Sequence, residues 1–149
     1  MSEKFKVNVE QSEGFQFLVN FNQDGVPVLL TDEVPPVGTG KGPNPARLLA
    51  AAVANCLAAS FLFCMQKSHI EPQRVTAVVE GELTRNERGR MRIKELHVRL
   101  EPALDEADLP RIARCTEIFE DFCIVTESVR AGIDVLVELK PVVAEPVKA

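Results

Sequence analysis

The amino-acid sequence predicts an α+β fold in a single domain, and three observations carry that reading. Apolar and polar residues alternate with period two near the start, around residues 75–100 and again from 133 to 139. Between the first two of these regions lies a long apolar stretch, Leu48 to Met65, interrupted only by the uncharged polar residues Asn55 and Ser60. Residues 105–130 change to helical spacing. At 149 residues the chain is long enough for one hydrophobic core, and no repeat, low-complexity tract or second domain is visible.

Each element follows from local chemistry. Phe5, Val7 and Val9 alternate, Ser12-Glu13-Gly14 turns the chain, and Phe15, Phe17, Val19 and Phe21 alternate again, which predicts a hairpin. After the turn Gln23-Asp24-Gly25, Val26, Val28 and Leu30 predict a third strand. Residues 31–44 hold Pro35-Pro36, Gly38, Gly40, Gly42 and Pro43, a composition that excludes regular structure. Asn44 suits an N-cap and Pro45 a first helical position, so a helix is expected from there to about Lys67, closed by Glu71-Pro72. Val75, Ala77 and Val79 open a strand that runs towards Leu83, and Asn86-Glu87-Arg88-Gly89 returns it. The phase slips between Ile93 and Leu96, which predicts a bulge near Lys94-Glu95. Asp105 or Asp108 can cap a second helix with Ile112, Cys115, Phe119 and Phe122 on its face, and a short helix is expected over Ile124–Arg130. Gly132 then releases a last strand with Ile133, Val135, Val137 and Leu139, and the tail from Pro141 is expected to be loose.

Composition narrows the function. A net charge of −5 opposes phosphate binding, and with no Trp or Tyr, base stacking rests on Phe alone, so nucleic acid is not an expected partner. The first residues carry no apolar signal segment, which predicts a cytoplasmic protein whose thiols are kept reduced. Leu48–Met65 nearly meets the length of a membrane span, but it is rich in alanine and lacks interfacial aromatics. The expectation is instead a core helix, no membrane partner, and a partner subunit covering the helix faces that so short a chain leaves open.

The four cysteines carry the chemistry. Cys56 lies about three turns inside the long helix, beyond the reach of its dipole, and in an alanine-rich interior it would be inert unless a polar group is brought to it. Cys123 is better placed, since the segment from Ile124 can present backbone N–H groups to its sulfur. Were the two adjacent, a thiolate could attack a peroxide, become a sulfenic acid and condense with its neighbour to a disulfide, which external thiols reset. The plain alternative is a pair of buried structural thiols. Cys64 and Cys115 stand eight residues after Cys56 and before Cys123, about 80° round a helix. They read as core packing, and the absence of Cys-x₂-Cys spacing argues against zinc. His69 and His97 lack metal-ligand spacing and read as a helix C-terminal residue and a surface residue. Glu127 and Arg130 read as a solvated helix face, while Lys41 is a cation that a flexible loop could carry over Cys56.

Asn44-Pro45 opening a helix that holds Cys56, the glycine-rich loop before it and the late Cys123 resemble the OsmC/Ohr family of osmotically induced and organic-hydroperoxide-resistance proteins, from about Lys4 to Leu139. The resemblance implies an OsmC-like fold: two curved antiparallel sheets around a long buried central helix, in an intertwined homodimer. It implies a cysteine-based thiol peroxidase for organic hydroperoxides, with Cys56 attacking, Cys123 resolving, an external dithiol as reductant, and no cofactor or metal. The departures are specific. Ala46 stands where the peroxidase branch has Glu, no arginine precedes Arg47, and Ile124 replaces the proline after the late cysteine. Arg47, nine residues before Cys56, points to the other face of a straight helix. Two further readings therefore stand beside peroxidase: a non-catalytic protein binding an apolar ligand in the dimer crevice, and a thiol–disulfide redox sensor.

Overall fold

The computed structural model describes residues 2–147. Its first sheet orders β1 (Asn8–Gln11), β2 (Phe17–Asn20) and β3 (Leu29–Thr31) as an antiparallel meander, with Val9 opposite Val19 and Phe17 opposite Thr31. The three strands are shorter than the alternation predicts. Phe5, Val7, Phe15, Phe21, Val26 and Val28 fall outside them and are exposed, while only Val19 and Thr31 of this sheet are buried. A strand extends only as far as it finds a ladder partner and a surface to pack on, and this sheet finds little of either within its own chain.

The loop that follows is organised by a carboxylate. Asp32 is buried, and its side chain accepts hydrogen bonds from the Thr39 hydroxyl (2.6 Å) and the N–H groups of Glu33 (2.7 Å), Lys41 (3.1 Å) and Thr39 (3.2 Å). The Thr39 hydroxyl foremost, against the cost of burial and with help from the three amides, holds its pKa down to about 2. Gly42 must be glycine, because a Cβ there would collide with the Leu30 carbonyl.

Helix α1 (Pro45–Lys67) has the predicted bounds. Asn44 Oδ1 accepts the Arg47 N–H at 3.0 Å, and Pro45 occupies the first turn. At the far end His69 takes φ 57°, the His69 N–H reaches the Gln66 carbonyl and the Ile70 N–H reaches the Met65 carbonyl. That is a Schellman closure, with Ile70 folding back on Met65. Only one side of α1 is buried in the chain, through Val53, Ala54, Leu57, Phe61 and Met65. Ala51, Ala52, Asn55, Ala59 and Phe63 are exposed on the other. The helix is long and apolar enough to cross a membrane, but its buried side packs on protein, against β4 (Arg74–Arg85), β5 (Met91–Ala103) and the helical segment beyond.

Strands β4 and β5 form a second, two-stranded antiparallel sheet. Glu82 pairs with Glu95 and Leu83 with Ile93, leaving Lys94 as the extra residue, so the bulge lies where the phase slip predicts it. Downstream the structure departs from the sequence pattern. The single second helix is three pieces, a 3₁₀ turn over Glu106–Ile112, α2 (Ala113–Ile118) and a further 3₁₀ turn over Phe119–Phe122, and Pro110 removes a backbone donor from the first of them. Asp105 stands at the N-cap position without a side-chain capping bond, and Phe122 is exposed rather than on the buried face. Helix α3 (Ile124–Ala131) follows as expected and ends at Gly132, φ 76°. The strand predicted over 133–139 is not formed. Ile133, Val135, Val137 and Leu139 are exposed, with no ladder to join in the same chain.

Candidate functional site

The core runs along α1 as two successive clusters. The one towards its N-terminal half joins Val53 and Leu57 to Cys123, with Cys56, Leu96, Val98, Phe119, Val125 and Val129 packed around them. The other joins Phe61, Met65 and Ile70 to Cys115, with Cys64, Ile112 and Phe119 around them. The sequence from Glu106 to Ala131 thus returns antiparallel to α1 and brings one cysteine to each half.

Cys56 and Cys123, the two predicted site residues, are brought together as free thiols. Cys56 is partly exposed and Cys123 fully buried. Cys123 caps the N-terminus of α3, with its carbonyl receiving the Glu127 N–H at 3.0 Å and its Sγ 3.0 Å from Thr126 Oγ1. Burial opposes charge on Cys123, but hydrogen bonds from the Cys56 thiol, the Thr126 hydroxyl and the Thr126 and Val125 N–H groups outweigh it and lower its pKa. At Cys56 burial and the adjacent Cys123 push the pKa up, against the help of the Val125 and Ile124 N–H groups. The first turn of α3 therefore supplies the polar group that the alanine-rich helix lacks, and the pair holds its first negative charge on Cys123. Sequence reasoning missed Thr126. Its signal was a hydroxyl three residues after a cysteine that itself opens a helix.

Cys64 and Cys115, expected to be separate core residues, are joined by a disulfide, with their Cα atoms 5.7 Å apart. The signal was arithmetic. Equal and opposite offsets from Cys56 and Cys123 place two pairs in one antiparallel register.

Beside the first cluster a groove of about 820 Å³ opens between α1, β5 and the α2–α3 segment. Leu49, Val53, Leu57, Leu96 and Val98 give it an apolar floor, and Thr126 connects it to the thiols. Arg130 stands at its rim, holding Glu127 Oε1 at 2.6 Å and Glu120 Oε1 at 2.8 Å, and all three side chains are about half exposed. This is a solvated ion-pair cluster, as the sequence suggests for Glu127 and Arg130. Lys41 is exposed, its backbone tied to Asp32, and nothing places its ammonium at Cys56. His69 serves the helix closure and His97 is an exposed groove residue. Among the described residues no group of three or more His, Cys, Asp or Glu side chains is arranged to hold a metal.

The fold recurs in solved structures. An OsmC-like protein of Vibrio cholerae is matched with a TM-score of 0.69 at 16% identity, over 85% of this chain and 94% of that one. An OsmC-like protein of Mycoplasma pneumoniae gives 0.67 at 19% identity, over 87% and 89%. An organic hydroperoxide resistance protein OsmC of Legionella pneumophila gives 0.62 at 18% identity, over 87% and 92%. A search of curated proteins finds no match. The family model described as OsmC-like protein matches residues 38–138, which takes in α1, the second sheet, both cysteine pairs and the exposed segment after Gly132. With that span and this architecture, the chain belongs to the OsmC-like family.

Proposed function

We propose that the protein is a thiol peroxidase that reduces organic hydroperoxides at the Cys56–Cys123 pair. The observation that carries the reading is the pairing of a partly exposed thiol with a buried, acidified one at the N-terminus of α3. Access and acidity reside on different sulfurs, and the chemistry uses both. As Cys56 Sγ attacks the terminal peroxide oxygen, the O–O bond breaks and an alkoxide departs. The Cys123 thiolate accepts the proton that Cys56 gives up and passes it to the alkoxide, which leaves as the alcohol. Cys56 is now a sulfenic acid. Cys123, once more a thiolate, attacks its sulfur, forms the disulfide and expels hydroxide, which leaves as water. A dithiol then returns the pair to two thiols and becomes a disulfide itself. The groove beside the pair suits the hydrocarbon part of the substrate.

The reading includes a homodimer. The open side of α1, the uncovered first sheet and the unpaired segment 133–139 all support a second copy as their cover. A reducing, cytoplasmic setting suits a site that works through free thiols.

The test is mass spectrometry with disulfide mapping after one equivalent of cumene hydroperoxide, beside dithiol-driven turnover. The expected product is a Cys56–Cys123 disulfide that forms within the assay and recycles. Cys56→Ser abolishes turnover, and Cys123→Ser halts at a sulfenic acid that dimedone traps. Thiols that stay reduced would sink the peroxidase reading. The size of the groove and the absence of Glu at Ala46 favour a second reading, binding of an apolar ligand, in which Cys56→Ser leaves binding intact.

A further inference from the structure

The Cys64–Cys115 disulfide lies outside the chemistry above, and its surroundings give it a task. Residues 106–122 are poorly held. Their two 3₁₀ turns bury no residue, none of their three pieces has a side-chain cap, and Cys115 is the one fully buried side chain among them. Besides the disulfide, they meet α1 and its C-cap through the partly buried Ile112 and Phe119, the latter edge-on to Phe61 with 5.0 Å between ring centres, and through the bond of Arg111 to the Ser68 carbonyl at 3.0 Å. Yet this segment forms one wall of the groove, through Ile112, Thr116, Phe119 and Glu120, and delivers Cys123 to Cys56. The bond is approachable from one side only, because Cys64 is partly exposed and Cys115 is not.

We propose that Cys64–Cys115 is a second redox couple, a latch that fixes the 106–122 wall on α1 when oxidised and frees it when reduced. A thiolate of an external dithiol attacks Cys64 Sγ, and the bond to Cys115 breaks. Cys115 leaves as a thiolate beside the Ser68 hydroxyl, 3.9 Å from its sulfur, and takes up a proton from solvent. The second thiol of the dithiol then resolves the mixed disulfide. Cys64 departs as a thiolate and is protonated, and the dithiol ends as a cyclic disulfide. The reverse sequence closes the latch, so its state follows the dithiol–disulfide pool. Its influence on peroxide turnover rests on the function proposed above, whereas the latch itself does not.

The test therefore uses Cys56→Ser/Cys123→Ser protein, in which no peroxide chemistry remains, equilibrated in graded mixtures of reduced and oxidised dithiothreitol. Thiol trapping reads the couple and amide hydrogen exchange reads the wall. The expected result is one two-thiol transition accompanied by roughly tenfold faster exchange confined to residues 106–122, the signature of local opening. Cys64→Ala/Cys115→Ala in the same background checks the assignment: its exchange matches the reduced protein in every mixture. A bond that folded protein never yields to dithiol, or reduction that leaves exchange in 106–122 unchanged, overturns the proposal.

Discussion

A thiolate forms most readily at Cys123 because a hydroxyl, two amides and a second thiol converge on its sulfur, and the hydroxyl is the replaceable partner. Thr126→Val keeps the shape of the buried side chain and removes that hydrogen bond. The expected result is a Cys123 titration moved up towards the ordinary thiol range, followed by thiolate absorbance. Disulfide formation after peroxide should slow by roughly tenfold at neutral pH, the scale of one hydrogen bond to a charged group. A titration that does not move would reduce Thr126 to a packing residue. At this scale the sequence was partly legible. The late cysteine could be placed at a helix start from Gly132 and the spacing around Ile124, and the help of its amides followed from that. The direction in which each thiol shifts depended on which groups cross from one segment to another, and no spacing within either segment states that. Lys41, the cation that the missing arginine and glutamate suggest, is not placed at Cys56, and the groups that act on the two thiols are neutral dipoles.

Among the elements, the loop between β3 and α1 depends most on one residue. With its carboxyl held to about 2 in the fold and near 3.9 in an unfolded chain, Asp32 contributes stability that is complete above about pH 4 and is lost as pH falls towards 2. Urea unfolding of wild type and Asp32→Asn measured from pH 6 to pH 2 should therefore converge on acidification. A gap that stays constant would mean that the carboxylate charge is not what the loop uses. Gly42→Ala should cost about 1–3 kcal/mol, since the Leu30 carbonyl must give way. Element boundaries were readable where short-range chemistry decides them. The Asn44-Pro45 cap and the bulge at Lys94 are local events, whereas the exit of α1 is made by the left-handed turn at His69 and not by Glu71-Pro72. The second helix is not continuous although Ile112, Cys115 and Phe119 have helical spacing, because Pro110 breaks the backbone ladder whatever face the side chains present.

The whole molecule leaves much apolar surface open, from the first sheet to Val135 and Val137, which are 79% and 85% exposed. Sedimentation is expected to give twice the chain mass, and Val135→Lys with Val137→Lys to shift the population towards monomer. A monomeric wild type would contradict the dimer. The strand predicted over 133–139 had the right alternation, but alternation specifies only a side to bury and says nothing of which chain supplies the neighbouring edge. The shared register of the two cysteine pairs has a different consequence, for how the chain can change its length. Removing one residue between Cys56 and Cys64 would rotate one sulfur on α1 by about 100° and separate it from its mate. A residue lost between Cys115 and Cys123, where α2 gives way to a 3₁₀ turn, would likewise shift one sulfur of the return away from its mate. The turns around Gly14 and Gly89, with open space beside them, are under no such constraint. Insertions and deletions among homologues should therefore gather at those turns and be absent between the cysteines.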